Sequence, residues 1–379
     1  MNTILEQFWW KVLFLVLLIN LVLVAGLTAI LVQSAPERIE IAREVVPSQL
    51  RPVQNYTPAS EYQTDLADLL NKQNLQTAEC NSDSLNIKPD FSRPDNNNDV
   101  DKVAVEQKFS RGGLFASSKS NLQLYAKAGE IYIYGEKYIN PATVNLILCT
   151  IEHTDQVNRQ IFGKYAYKIR DLKKLPTRII LYDSYENYQK VFEATYLQDK
   201  VGNAPYALSE GDTISTYLFN STKNEDSNYI VNSVKNSLVM NIAHEYTHRL
   251  IHESGADFKP FYEEGMATYL GGEVAGKVVG GKFDCSFRLM QANYLGSVSD
   301  LKLSDFMNYS SDEWLYDTVN NQSRKYSSAY YFFRYHIQKN DLEQYLNQLY
   351  SESTPTIDMS DFMNFAIDAQ ASDKKSCIK

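Results

Sequence analysis

The alternation of apolar and polar positions divides the chain into stretches of different character. From Val12 to Val32 the only polar side chains are Asn20 and Thr28, and there is no charge. These 21 residues would form a helix about 31 Å long, matching a ~30 Å hydrocarbon core. Trp9 and Trp10 stand at its leading edge, where interfacial aromatics belong. The run is longer than the apolar part of a signal peptide, and Ser34-Ala35 is followed by Pro36, a poor cleavage site. Residues 1–32 are therefore expected to be a short tail and a retained transmembrane helix. Residues 33–110 carry Pro36, Pro47, Pro52, Pro58, Pro89 and Pro94 among Gln, Asn, Asp and Ser. They predict a flexible stalk, with a short helix near 62–75.

Beyond the stalk the periods change. Leu122, Leu124, Ile131 and Ile133 alternate around Ala128-Gly129-Glu130, which predicts a hairpin. Asn140-Pro141 starts a helix that carries Val144, Ile147, Leu148 and Ile151 on one side. Residues 178–182 read as a buried strand, and Ser184 as the cap of a helix with Tyr188, Val191 and Phe192. Residues 211–219 read as a further strand just ahead of a helical remainder. The predicted class is α+β, with a sheet-containing subdomain over 111–225 and a helical subdomain over 226–379.

Composition adds three limits. With 44% hydrophobic and 22% charged residues the chain is globular, not disordered. Lys and Arg total 37 against 46 Asp and Glu, a net charge of −9, which argues against a nucleic-acid partner. The four cysteines, Cys80, Cys149, Cys285 and Cys377, lack zinc-finger spacing; if oxidised they allow three pairings. The basic residues flanking the apolar span (Lys11 against Arg38 and Arg43) barely bias its orientation. Size favours a short N-terminus inside, with the rest of the chain outside the cytoplasm at the cell membrane.

The chemistry is concentrated in His244-Glu245-Tyr246-Thr247-His248, inside an apolar-periodic helical run. Residues i and i+4 lie on one helix face, about 6 Å apart along the axis, so both imidazoles can converge on one Zn²⁺. Glu245 is turned ~100° from His244. That makes it a poor ligand and a good general base for a water on the metal. Downstream, Glu263-Glu264-Gly265-Met266-Ala267 follows Pro260 and offers two competing carboxylates. His252 continues the histidine row, but it lies about 12 Å from His244 along the axis and cannot share one ion with it. It reads as a cation near a helix C-terminus. His153 and His336 read as structural or surface residues.

His-Glu-x-x-His followed by Glu-Gly-x-Ala after a gap of 15 residues between His248 and Glu264 resembles the gluzincins, the thermolysin-like and aminopeptidase-like zinc metallopeptidases. The resemblance covers roughly residues 176–350. It implies that Glu264, directly before the glycine, is the third ligand, with Glu263 either flanking it or supporting a ligand from outside the metal's own contacts. It also implies a tyrosine that hydrogen-bonds the oxyanion, for which Tyr326 is the candidate, and an edge strand, 211–219, that pairs with substrate. Two departures stand out. Thr268 occupies the position of the Asp that supports a zinc histidine in thermolysin-like enzymes, and the Gly-x-Met-Glu-Asn signature of the aminopeptidases is absent. The expectation is a membrane-anchored zinc metallopeptidase acting on a peptide or protein outside the cytoplasm. The alternatives are a non-catalytic binding or assembly protein on the same scaffold and a hydrolase of a non-peptide bond.

Overall fold

The computed structural model describes residues 80, 85–91, 122–136, 139, 141–189, 207–218, 227–316 and 319–376. All belong to one compact unit, Ser60–Lys379; the other unit, Met1–Ala59, lies outside the described residues. The predicted membrane span and the helix near 62–75 fall there or in other residues outside the description. Among the described residues no helix is long and apolar enough to cross a membrane.

The class is α+β, with one mixed sheet. The predicted hairpin forms as β1 (Gln123–Ala128) and β2 (Ile131–Gly135), antiparallel, with Gly129 at φ +62° in the turn. Helix α1 (Pro141–Phe162) then crosses to β3 (Thr177–Tyr182), which lies parallel to β2. β4 (Ala207–Glu210) and β5 (Thr213–Tyr217) form a second antiparallel pair, and β5 lies parallel to β3. The order is β1-β2-β3-β5-β4. The strand expected over 211–219 forms as β5, but it is not the edge strand it was expected to be. Gly211, at φ +58°, turns the chain there, β5 is an inner strand, and the edge belongs to β4.

Both sheet faces are covered, which is why β3 reads as a continuous apolar run. Ile179 and Leu181 face the main core with Ile131, Ile133 and Ile214. Ile180 and Tyr182 face a second cluster with Tyr134, Tyr188 and Tyr217, edged by Tyr132 and Tyr185. Part of the tyrosine richness of the chain is thus structural. Ser184 does begin a helical turn over 185–189, its Oγ accepting the Asn187 amide at 3.2 Å.

The remainder is helical: α2 (Ser227–Glu253), α3 (Pro260–Val279), α4 (Gly281–Leu295), α5 (Leu303–Asn308), α6 (Ser311–Tyr316), α7 (Val319–Lys339), α8 (Leu342–Tyr350) and α9 (Met359–Ser376). α3 lies against α2 on one side and α7 on another, with α1 behind α2. Part of the segment read as a stalk packs on this body. Cys80, Leu85 and Ile87 are buried, and Cys80 is disulfide-bonded to Cys149 of α1. The Ile87 amide donates to Glu152 at 2.7 Å, and Asp90 exchanges backbone hydrogen bonds with Lys127 of β1. Cys285 is disulfide-bonded too, so the described cysteines are oxidised.

Candidate metal centre

Helix α2 is buried where it carries the motif. Ile242, Ala243, Tyr246, Leu250 and Ile251 are fully packed, and Asn158 of α1 donates to Thr247 at 3.1 Å from behind. His244 and His248 stand on the opposite side, facing α3. Pro260 occupies the first turn of α3, where its missing N–H costs no helical bond. Two glycines let α3 come close. A Cβ on Gly271 would lie 3.2 Å from the His244 amide nitrogen, and one on Gly265 would lie 2.4 Å from the Ala329 carbonyl oxygen of α7. The glycine after Glu264 is therefore a contact between two helix backbones.

This packing brings three donor atoms together. His244 Nε2 lies 3.1 Å from His248 Nε2 and 3.1 Å from Glu264 Oε2, which is 3.4 Å from His248 Nε2. An ion with bonds of about 2.1 Å in tetrahedral geometry needs its ligand atoms about 3.4 Å apart. The three atoms thus span one face of such a tetrahedron. His244, His248 and Glu264 are grouped closely enough to bind a metal. A second trio, Cys80, Cys149 and His153, is equally close, but its sulfurs are spent in a disulfide.

Glu263 takes the other side of the same imidazole. Its Oε1 accepts from His248 Nδ1 at 2.7 Å and lies 3.1 Å from His252 Nε2. A carboxylate can only accept, so Nδ1 carries the proton and the Nε2 lone pair is left for a metal. Thr268 is buried, and its hydroxyl finds no partner among the described residues. The support expected from that position comes from Glu263 instead.

The electrostatics fit a cation. Burial alone would push Glu264 up, but the charge of His248 and the hydrogen bonds of both histidines hold it well below the usual carboxylate range. Burial also opposes ionisation of Glu263, yet the bonds from His248 and then His252 bring it down to about 2. Burial would lower His248, but Glu264's charge and Glu263's hydrogen bond raise it well above 6.5. Without a metal, a proton on His248 offsets one of the two carboxylate charges.

Glu245 behaves differently. It is buried, with no part in the ligand triangle, and burial raises it, against the pull of His244 and His248. The Ser209 backbone amide of β4 donates to its carboxylate. Among the described residues β4 has a sheet neighbour on one side only, so the edge strand reaches the site beside Glu245. Tyr326, on α7, donates to Glu264 Oε1 at 3.4 Å, its ring edge-on to Trp314 with centroids 5.2 Å apart. Burial first, then Glu264's charge, raise its hydroxyl well above 10. His336 is buried on Asp341, at 2.8 Å, and stacked on Tyr345, a structural position. Sequence reasoning named His244, Glu245, His248, Glu264 and Tyr326, and the fold gathers all five. It did not find the Ser209 amide, a backbone group without a side-chain signal, or the sharing of Glu263 by two histidines. No protein-family model matches the chain, and no curated protein matches it.

Proposed function

We propose that this protein is a zinc metallopeptidase, anchored by residues 1–32 with its folded part outside the cytoplasm. The observation that carries the reading is the convergence of His244, His248 and Glu264, with the buried carboxylate of Glu245 beside them but outside the ligand set. Two imidazoles and one carboxylate with an open fourth position are the donor set of catalytic zinc. Zinc, when bound, polarises a carbonyl and acidifies water.

The chain's own residues supply the rest. Glu245, raised by burial and held by the Ser209 amide, accepts a proton from the attacking water and returns it to the leaving amine. Glu263 fixes the His248 tautomer. Tyr326 donates its one O–H to the far oxygen of Glu264 and orients that carboxylate; turned to the substrate oxygen instead, the same O–H would stabilise an oxyanion. An extended peptide laid along the outer edge of β4 would add a strand to the sheet and run past Glu245. The test is the zinc content of full-length, detergent-solubilised protein together with cleavage of a broad peptide library. One zinc per chain with cleavage supports the reading. Zinc without cleavage of any peptide moves it to a binding scaffold, and no zinc removes it.

A further inference from the structure

His252 stands outside the ligand set, yet it is not a bystander. Its imidazole is 54% exposed, while the Glu263 side chain it meets is only 13% exposed. One oxygen, Glu263 Oε1, accepts from the buried His248 at 2.7 Å and lies 3.1 Å from Nε2 of the exposed His252. The two histidines are one helical turn apart on α2, so a single carboxylate from α3 spans them. The helix ends favour the arrangement. His252 is in the last turn of α2, where donors and positive charge are stabilised, and Glu263 is in the first turn of α3, where a carboxylate is. The bridge also closes the corner between the two ligand-bearing helices, across residues 254–259.

The geometry points to His252 as a positioning residue for the metal: by holding Glu263 against His248 Nδ1, it slows metal release without touching the ion. This rests on the metal centre proposed above. A glutamate on a helix's first turn has other rotamers open to it and water to bond with. The His248 bond alone leaves its free energy divided among them, whereas a second donor on the same oxygen selects one. Partners that orient a ligating histidine typically change metal affinity 10–100-fold, and His252 acts one bond further out.

The experiment uses full-length protein loaded with zinc and measures zinc transfer to a chromogenic chelator at fixed pH. His252→Ala should speed release about 3–10-fold. His252→Gln, which keeps an N–H able to reach Oε1, should stay within about two-fold of wild type. In a Glu263→Ala background, adding His252→Ala should change nothing further, because the accepting oxygen through which His252 acts is already gone. The cobalt-substituted His252→Ala protein should keep the wild-type visible spectrum, since no ligand is lost. Wild-type release from His252→Ala, failure of Gln to rescue, or an equal effect in the Glu263→Ala background would each overturn the inference while leaving the metal centre standing. A wild-type protein that takes up no metal overturns both.

Discussion

Consecutive glutamates divide a single imidazole between them: Glu264 faces the Nε2 side of His248 and Glu263 its Nδ1 side. The two substitutions should therefore differ in kind. Glu264→Gln removes a ligand and should leave the purified protein largely free of zinc. Glu263→Gln should keep zinc at saturating metal but weaken it about 10–100-fold in chelator competition. Their protonation gives a second expectation. In the metal-free protein Glu263 is lowered from 4.5 to about 2, so its contribution to stability is complete above pH 4.5 and lost as pH falls toward 2. His248 is raised above 6.5, so its contribution is complete below pH 6.5 and lost as pH rises through the raised value. Chelator-treated protein should accordingly be most stable between pH 4.5 and 6.5 and lose urea midpoint as pH rises from 6.5 through the raised value of His248. Zinc, which takes the Nε2 lone pair of His248, should remove that alkaline loss and release protons on binding at pH 7. An alkaline slope identical with and without zinc would show that His248 does not change its protonation on binding.

At the scale of elements, the site depends on how closely α3 can approach its neighbours. A methyl group on Gly265 would stand 2.4 Å from the Ala329 carbonyl oxygen and 2.8 Å from its carbon, both backbone atoms that cannot swing aside. Gly265→Ala should separate α3 from α7, cost about 1–3 kcal/mol, and move Tyr326 relative to Glu264. Thermal unfolding and zinc affinity should both fall; a variant with unchanged affinity would mean the α3–α7 contact does not set the site. Much of this was legible in the sequence. The i, i+4 histidines fix their own face of α2 by helix geometry, and Pro260 marks the start of the helix that brings Glu264. The hairpin around Gly129 and the start of α1 at Pro141 followed from turn and cap chemistry. The edge of the sheet did not. Residues 211–219 alternate and do hold β5, but the turn at Gly211 joins it to β4 just before, and a period of two does not say which strand is inner. Glu263's partners were equally hidden, because which side of His248 it meets depends on the crossing of α2 and α3.

For the whole molecule, the disulfide between Cys80 and Cys149 joins residues 69 apart in the chain. It should contribute about 2–4 kcal/mol by restricting the unfolded chain, so Cys80→Ser should lower the urea midpoint while leaving zinc stoichiometry unchanged. It also sharpens a test of topology. If residues 12–32 span the membrane and the rest lies outside, external protease on intact cells should reach the Pro- and Asn-rich stretch. A cut after Cys80, between 92 and 121, should leave the domain held to the membrane until the disulfide is reduced. Full protection until lysis would place the domain inside. The central claim, that this is an enzyme whose general base is Glu245, is tested most directly by zinc content and peptide cleavage measured side by side in wild type and Glu245→Gln. Gln keeps the volume and can hydrogen-bond a water, but it cannot take up its proton. The account predicts equal zinc in the two proteins and cleavage reduced at least 10²–10⁴-fold in the variant. Equal zinc with equal cleavage would contradict it.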